Sequence, residues 1–88
     1  MHENHSVNYI IKQIESITDE QCARKVVSVL VKLGALSHTT PERFREHFEL
    51  LSKGTVADGA KLNFDVSTDI NDPHAHEVIL ESVDVFED

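Results

Sequence analysis

Eighty-eight residues allow one small domain, and a chain of that length buries only about 60% of the surface it exposes when unfolded. Sixteen acidic side chains against eight basic ones leave a net charge of −8, which argues against nucleic acid as a partner, since that affinity rests on cations displacing counterions from phosphates. No apolar run approaches the roughly 20 residues of a bilayer span, the start lacks the basic and apolar regions of a signal peptide, and the single cysteine, Cys22, permits neither an internal disulfide nor a paired CxxC zinc site, so the expectation is a soluble, cytoplasmic chain without membrane association or structural zinc.

Val7, Ile10, Ile11, Ile14 and Ile17 fall on one stripe of an amphipathic helix, predicted from about Glu3 to Ile17 and ending in a polar turn at Asp19 and Glu20. Cys22 follows, read as a small buried hydrophobe. The β-branched run from Lys25 to Leu33 predicts a strand with Val27, Val29, Val31 and Leu33 on one face and Val26 and Leu30 on the other. Apolar on both sides, it is expected at the centre of a sheet. Thr40 as N-cap, Pro41 at the first helical position and Gly54 at a left-handed C-cap bracket a second helix at about 41–53. Its stripe is Phe44, Phe48 and Leu51, with Leu50 beside it and Lys53 complementing the dipole in the last turn. Ala60, Leu62, Phe64 and Val66 then alternate with polar residues as a half-buried strand. Polar 67–76, with Asp72-Pro73, is a loop. In the last strand, about 77–86, Val78 and Leu80 fall out of phase with Val83 and Val85, which predicts a bulge near Glu81-Ser82.

The order αβαββ describes an α/β two-layer sandwich, a three-stranded mixed sheet with two helices on one face. Two strands flanking a helix run parallel if adjacent, and the third then runs antiparallel to a neighbour. Strand order and oligomeric state are not set by the sequence.

The chain resembles the hydrogenase and urease nickel-incorporation accessory proteins, nickel metallochaperones of HypA/HybF type. The likeness lies in the Met1-His2-Glu3 start, the Val31 to Ser37 strand end, Pro41-Glu42 with Phe48-Glu49-Leu50, the run from Ser52 to Leu62, and the closing Glu77 to Val85. Family members insert a zinc ribbon with two CxxC pairs between the last two strands, where this chain has only "STDINDPHAH". The resemblance therefore implies a single nickel-chaperone-like domain over 1–88, with loop 67–76 in place of the ribbon, holding Ni(II) at Met1, His2 and Glu3 as transported cargo. It also implies a nickel GTPase and a client metalloenzyme or its accessory protein as partners.

Coordination chemistry suits that implication. The Met1 amine and the amide nitrogens of His2 and Glu3 close two fused five-membered chelate rings, and the His2 imidazole can fold back to complete a planar nitrogen set of the kind Ni(II) or Cu(II) takes, whereas zinc favours a tetrahedron. The positive end of the helix dipole opposes a bare cation by about 0.3–1 kcal/mol, a smaller effect than a metal–amidate bond. Taken alone, Glu3 is a residue that complements the dipole and His2 a solvated end residue. His5 shares the side of His2 and is a candidate outer ligand, His74 and His76 form an H-x-H in the loop, and His38 and His47 read as turn and helix-flank residues. No glycine-rich phosphate loop or nucleophile motif is present, so an enzyme is not expected. The competing function is a metal-free docking module that keeps the fold and binds a partner through its acidic surface.

Overall fold

A computed structural model describes the backbone over residues 2–86 and the side chains over residues 6–86. The element order is α1 (His2–Gln21), β1 (Lys25–Leu33), α2 (Pro41–Leu51), β2 (Lys61–Val66) and β3 (Val78–Phe86), the αβαββ sandwich that the periodicities require. β1 lies in the middle of the sheet, parallel to β2 and antiparallel to β3.

α1 outruns its expected end at Ile17. Thr18 is buried and its hydroxyl donates to the Glu15 carbonyl at 2.9 Å, so the inward stripe runs through Val7, Ile10, Ile11, Ile14 and Thr18, with Ile17 half-buried beside it. The helix stops in a Schellman turn in which the Ala23 N–H bonds the Thr18 carbonyl at 2.9 Å and the Cys22 N–H bonds that of Asp19 at 3.2 Å. Cys22 is thus an exposed residue with φ of 54°, not the buried hydrophobe expected. A non-glycine residue there carries the steric cost of Cβ in the left-handed region. Cys22→Gly is therefore expected to raise stability by about 1 kcal/mol, read as a higher denaturation midpoint at unchanged m-value.

The central strand departs from simple alternation. Its buried residues are Val26, Val29, Val31 and Leu33, while Val27 is 51% exposed. The cause is an irregularity in pairing with β3, where Val26 faces Val85 and Ser28 faces Asp84, leaving Val27 without a partner position. The bulge expected in β3 is also present: Leu30 faces Ser82 and Val31 faces Leu80, so Glu81 is the extra residue. Together the two bulges keep Val26, Val29, Val31 and Leu33 opposite Val85, Val83, Leu80 and Val78, all packed into one core.

Thr40 caps α2 through its side-chain oxygen, which accepts from the Arg43 N–H at 3.2 Å, and Pro41 follows. Phe44 and Phe48 stack with centroids 6.1 Å apart, and Phe64 of β2 meets Phe44 edge-on at 5.6 Å. The helix ends at Leu51, two residues early, with Ser52 as C-cap bonding the Phe48 carbonyl. Ser52 is buried where Leu51 was expected, Leu50 and Leu51 are exposed, and Lys53 lies past the last turn. Gly54 has the left-handed φ, 79°, and its N–H bonds the Asp58 carboxylate at 3.1 Å. β2 begins one residue after Ala60, and Val66, counted on the half-buried face, is 55% exposed at the strand's end.

The opposite face of the sheet carries Ser28, Leu30 and Lys32 of β1 with Lys61, Asn63 and Asp65 of β2 in register, and is not covered by a helix.

Candidate metal centre at the start of the first helix

Of the residues expected to hold the metal, Met1 lies outside the described residues. His2 and Glu3 open the backbone of α1, and their side chains, with that of His5, also lie outside the described set. What the fold supplies is position. His2 and Glu3 stand in the first turn, where amide N–H groups have no carbonyl four residues earlier to bond, so metallation of those nitrogens breaks no helical hydrogen bond. The helix is held to the core from Val7 onward by side chains at or below 3% exposure.

The remaining histidines do not converge. His38 sits exposed in a turn with φ of 61°, and His47 is half-buried on α2. His74 and His76 are exposed on either side of Ala75, which is 2% exposed and plugs the loop into the fold. Loop 67–76 is thus a chain of defined turns: Asp69 accepts from the Asn71 N–H at 3.0 Å, Asp72 from the His74 N–H at 2.9 Å, and Lys32 reaches Asp72 at 3.4 Å. His74 Nδ1 lies 2.5 Å from the Glu77 carboxylate and is committed to it. Among the described residues no group of three or more His, Cys, Asp or Glu is placed to hold a metal.

The same contacts set the loop's electrostatics. The hydrogen bond and charge of Glu77 raise the His74 pKa above its ordinary 6.5. The backbone N–H of His74 lowers the Asp72 pKa, with Lys32 adding to it against partial desolvation. A raised imidazole pKa means that the His74–Glu77 pair stabilises the fold fully below the ordinary value and ceases to do so as the pH rises through the raised one. An NMR titration should place His74 above 6.5, and Glu77→Gln should return it toward that value.

Sequence reasoning passed over the contact that fixes this loop. The Gly34 N–H donates to the Glu77 carbonyl at 3.0 Å and the Leu36 N–H to that of Ala75 at 2.8 Å, and a Cβ at Gly34 would lie 2.2 Å from the Ala75 oxygen. A glycine directly after a strand was the only signal of so close an approach.

Comparison with known proteins places this architecture. The family model described as hydrogenase/urease nickel incorporation, metallochaperone, HypA, matches residues 1–70, from the start of the chain to the loop before β3. The hydrogenase maturation factor HypA of Archaeoglobus fulgidus is 39% identical over 66 residues, covering 75% of this chain and 60% of that protein. The factor of the same name from Methylocella silvestris is 33% identical over 66 residues, covering 75% of this chain and 58% of its own length. The chain thus spans about three-fifths of the length of these curated relatives. The solution structure of the Ni metallochaperone HypA from Helicobacter pylori superposes with a TM-score of 0.83 over all of both chains at 19% identity, a likeness of fold. Among the described residues no helix is long and apolar enough to cross a membrane. With the fold shared and the match running from the first residue through both helices and two strands, the chain belongs to the HypA family of hydrogenase and urease nickel-incorporation metallochaperones, accessory proteins rather than catalysts.

Proposed function

We propose that this chain carries one Ni(II) at Met1, His2 and Glu3 and passes it to a nickel enzyme or to its maturation partner, a nucleotide-binding nickel GTPase. The observation that supports this most is that the family match begins at residue 1, so Met1-His2-Glu3 falls inside the matched segment. Delivery requires a grip firm enough to hold the ion and open enough to release it. Ligands on a first helical turn meet both demands, because releasing them needs fraying of that turn and no opening of the core. The test is calorimetric titration with Ni(II) of protein with a free Met1 amine, of His2→Ala, and of protein acetylated at the Met1 amine. Tight binding by the first form alone supports the proposal, and equal binding by all three refutes it.

Residues 1–88 act in this reading as one domain, with 67–76 standing where the family's zinc ribbon is inserted and no zinc required. The second reading is a metal-free docking module that keeps the fold and meets a partner through its acidic surface, to which the net charge of −8 lends support.

A further inference from the structure

The strand registers lay out the sheet face that no helix covers as a grid of three rows. Asn63 of β2, Leu30 of β1 and Ser82 of β3 cross its middle. The row below is Lys61, Ser28 and Asp84, with the Ser28 hydroxyl donating to the Asp84 carboxylate at 2.7 Å. The row above is Asp65, Lys32 and Ile79. Their chain neighbours Val29, Val31, Leu62 and Val83 pack into the core, so alternation turns the grid outward. β2 thus carries a cation at the lower end of this face and a carboxylate at the upper end, about 13 Å apart at strand spacing.

We propose that this face pairs with the same face of a second copy of the chain, sheet on sheet, about a two-fold axis lying along the middle row. That rotation exchanges the upper and lower rows, so each Lys61 comes over Asp65 of the other copy, twice in one interface. The axis passes an amide, an alkyl group and a hydroxyl, Asn63, Leu30 and Ser82, each able to meet its own copy, and no charge. Lys32, reached by Asp72 at 3.4 Å, comes over Ser28 and the Asp84 that Ser28 binds. The alternative two-fold, along β1, sets Lys32 against Lys32 and is rejected by charge. The chosen axis also keeps the strands of the two sheets nearly aligned, as face-to-face sheets are. A net charge of −8 opposes any contact between copies, so a contact forms only where local complementarity of this kind offsets it. Area sets the strength: three strands about 4.8 Å apart over five residues present roughly 250 Å² of flat sheet, short of the about 800 Å² per partner of a stable interface, so the dimer is a weak one. The proposal is independent of the nickel site and is tested on metal-free protein, so the two stand or fall separately.

The test is sedimentation equilibrium of the metal-free chain from micromolar to millimolar concentration at about 0.15 M salt, where charges are screened beyond about 8 Å. A concentration-dependent dimer is expected, with concentration-dependent amide NMR shifts at Leu30, Asn63 and Ser82. Lys61→Asp and Asp65→Lys each set like charges against each other twice and are expected to weaken the dimer about tenfold, whereas the double reversal Lys61→Asp/Asp65→Lys restores it to within about twofold of the parent. Both positions are exposed, and retained amide spectra check that each variant is folded. Asp65→Lys separates register from net charge, because it makes the chain less acidic: association ruled by net charge alone tightens, and that result overturns the proposal. A parent chain that stays monomeric at millimolar concentration overturns it as well, as do equal dimerisation by all four forms or shifts centred on the helices.

Discussion

Gly34→Ala is expected to remove about 3–5 kcal/mol of stability, much of what a domain of this size has. The added Cβ would lie 2.2 Å from the Ala75 oxygen, 2.7 Å from the Ala75 carbonyl carbon and 2.9 Å from the Glu77 oxygen. All three are backbone atoms, so no side-chain rotation relieves the clash, and loop and strand must separate. Separation gives up the Gly34–Glu77 and Leu36–Ala75 hydrogen bonds, each worth about 0.5–1.5 kcal/mol net, exposes Ala75, and strains the Leu33–Val78 pairing that follows. At about 4–8 °C per kcal/mol for a domain of this length, the melting temperature should fall by more than about 12 °C. A melt within about 4 °C of the parent would show that the loop does not press on β1 as described.

The second large effect concerns the metal, and it separates backbone from side chain. If His2 and Glu3 contribute amide nitrogens, Glu3→Ala keeps its nitrogen and should hold Ni(II) nearly as well as the parent. Glu3→Pro has no N–H to surrender, yet proline is tolerated in a first helical turn, so the fold should survive while affinity falls by more than about 100-fold. Blocking the Met1 amine by acetylation, or removing the imidazole with His2→Ala, should cost as much, since each empties one corner of the plane. An outcome in which Glu3→Ala loses binding and Glu3→Pro keeps it would assign the grip to the carboxylate instead.

Where the fold was legible in the sequence, the reason was contrast between apolar and polar neighbours. The β3 bulge could be placed because Glu81 and Ser82 interrupt the alternation on both sides. In β1 the one polar residue between Val26 and Val31 is Ser28, which by simple alternation sets Val27 beside Val29 on the core face, so the bulge that turns Val27 outward left no trace. The end of α2 misled for a similar reason. Leu50 and Leu51 suit a buried stripe, but the helix ends at Leu51 and the smaller Ser52 at its C-cap is the residue buried. Ala75 is small and unpatterned, so its burial, and the tight seat of loop 67–76 on Gly34, follow only from tertiary contact. The candidate site was read in the opposite way. Its residues carry no periodic signal: Met1, His2 and Glu3 came from the resemblance to a family, and the donor chemistry of an amine, two amides and an imidazole is consistent with what that resemblance implies.

The measurement that bears most directly on the account is the visible absorption of protein with a free Met1 amine on addition of Ni(II), together with the protons released. The account predicts the yellow bands of a square-planar nitrogen complex, appearing as the amide protons of His2 and Glu3 are given up, and their absence when the Met1 amine is acetylated. A pale, six-coordinate spectrum without proton release, or yellow bands that survive acetylation of the Met1 amine, would contradict it.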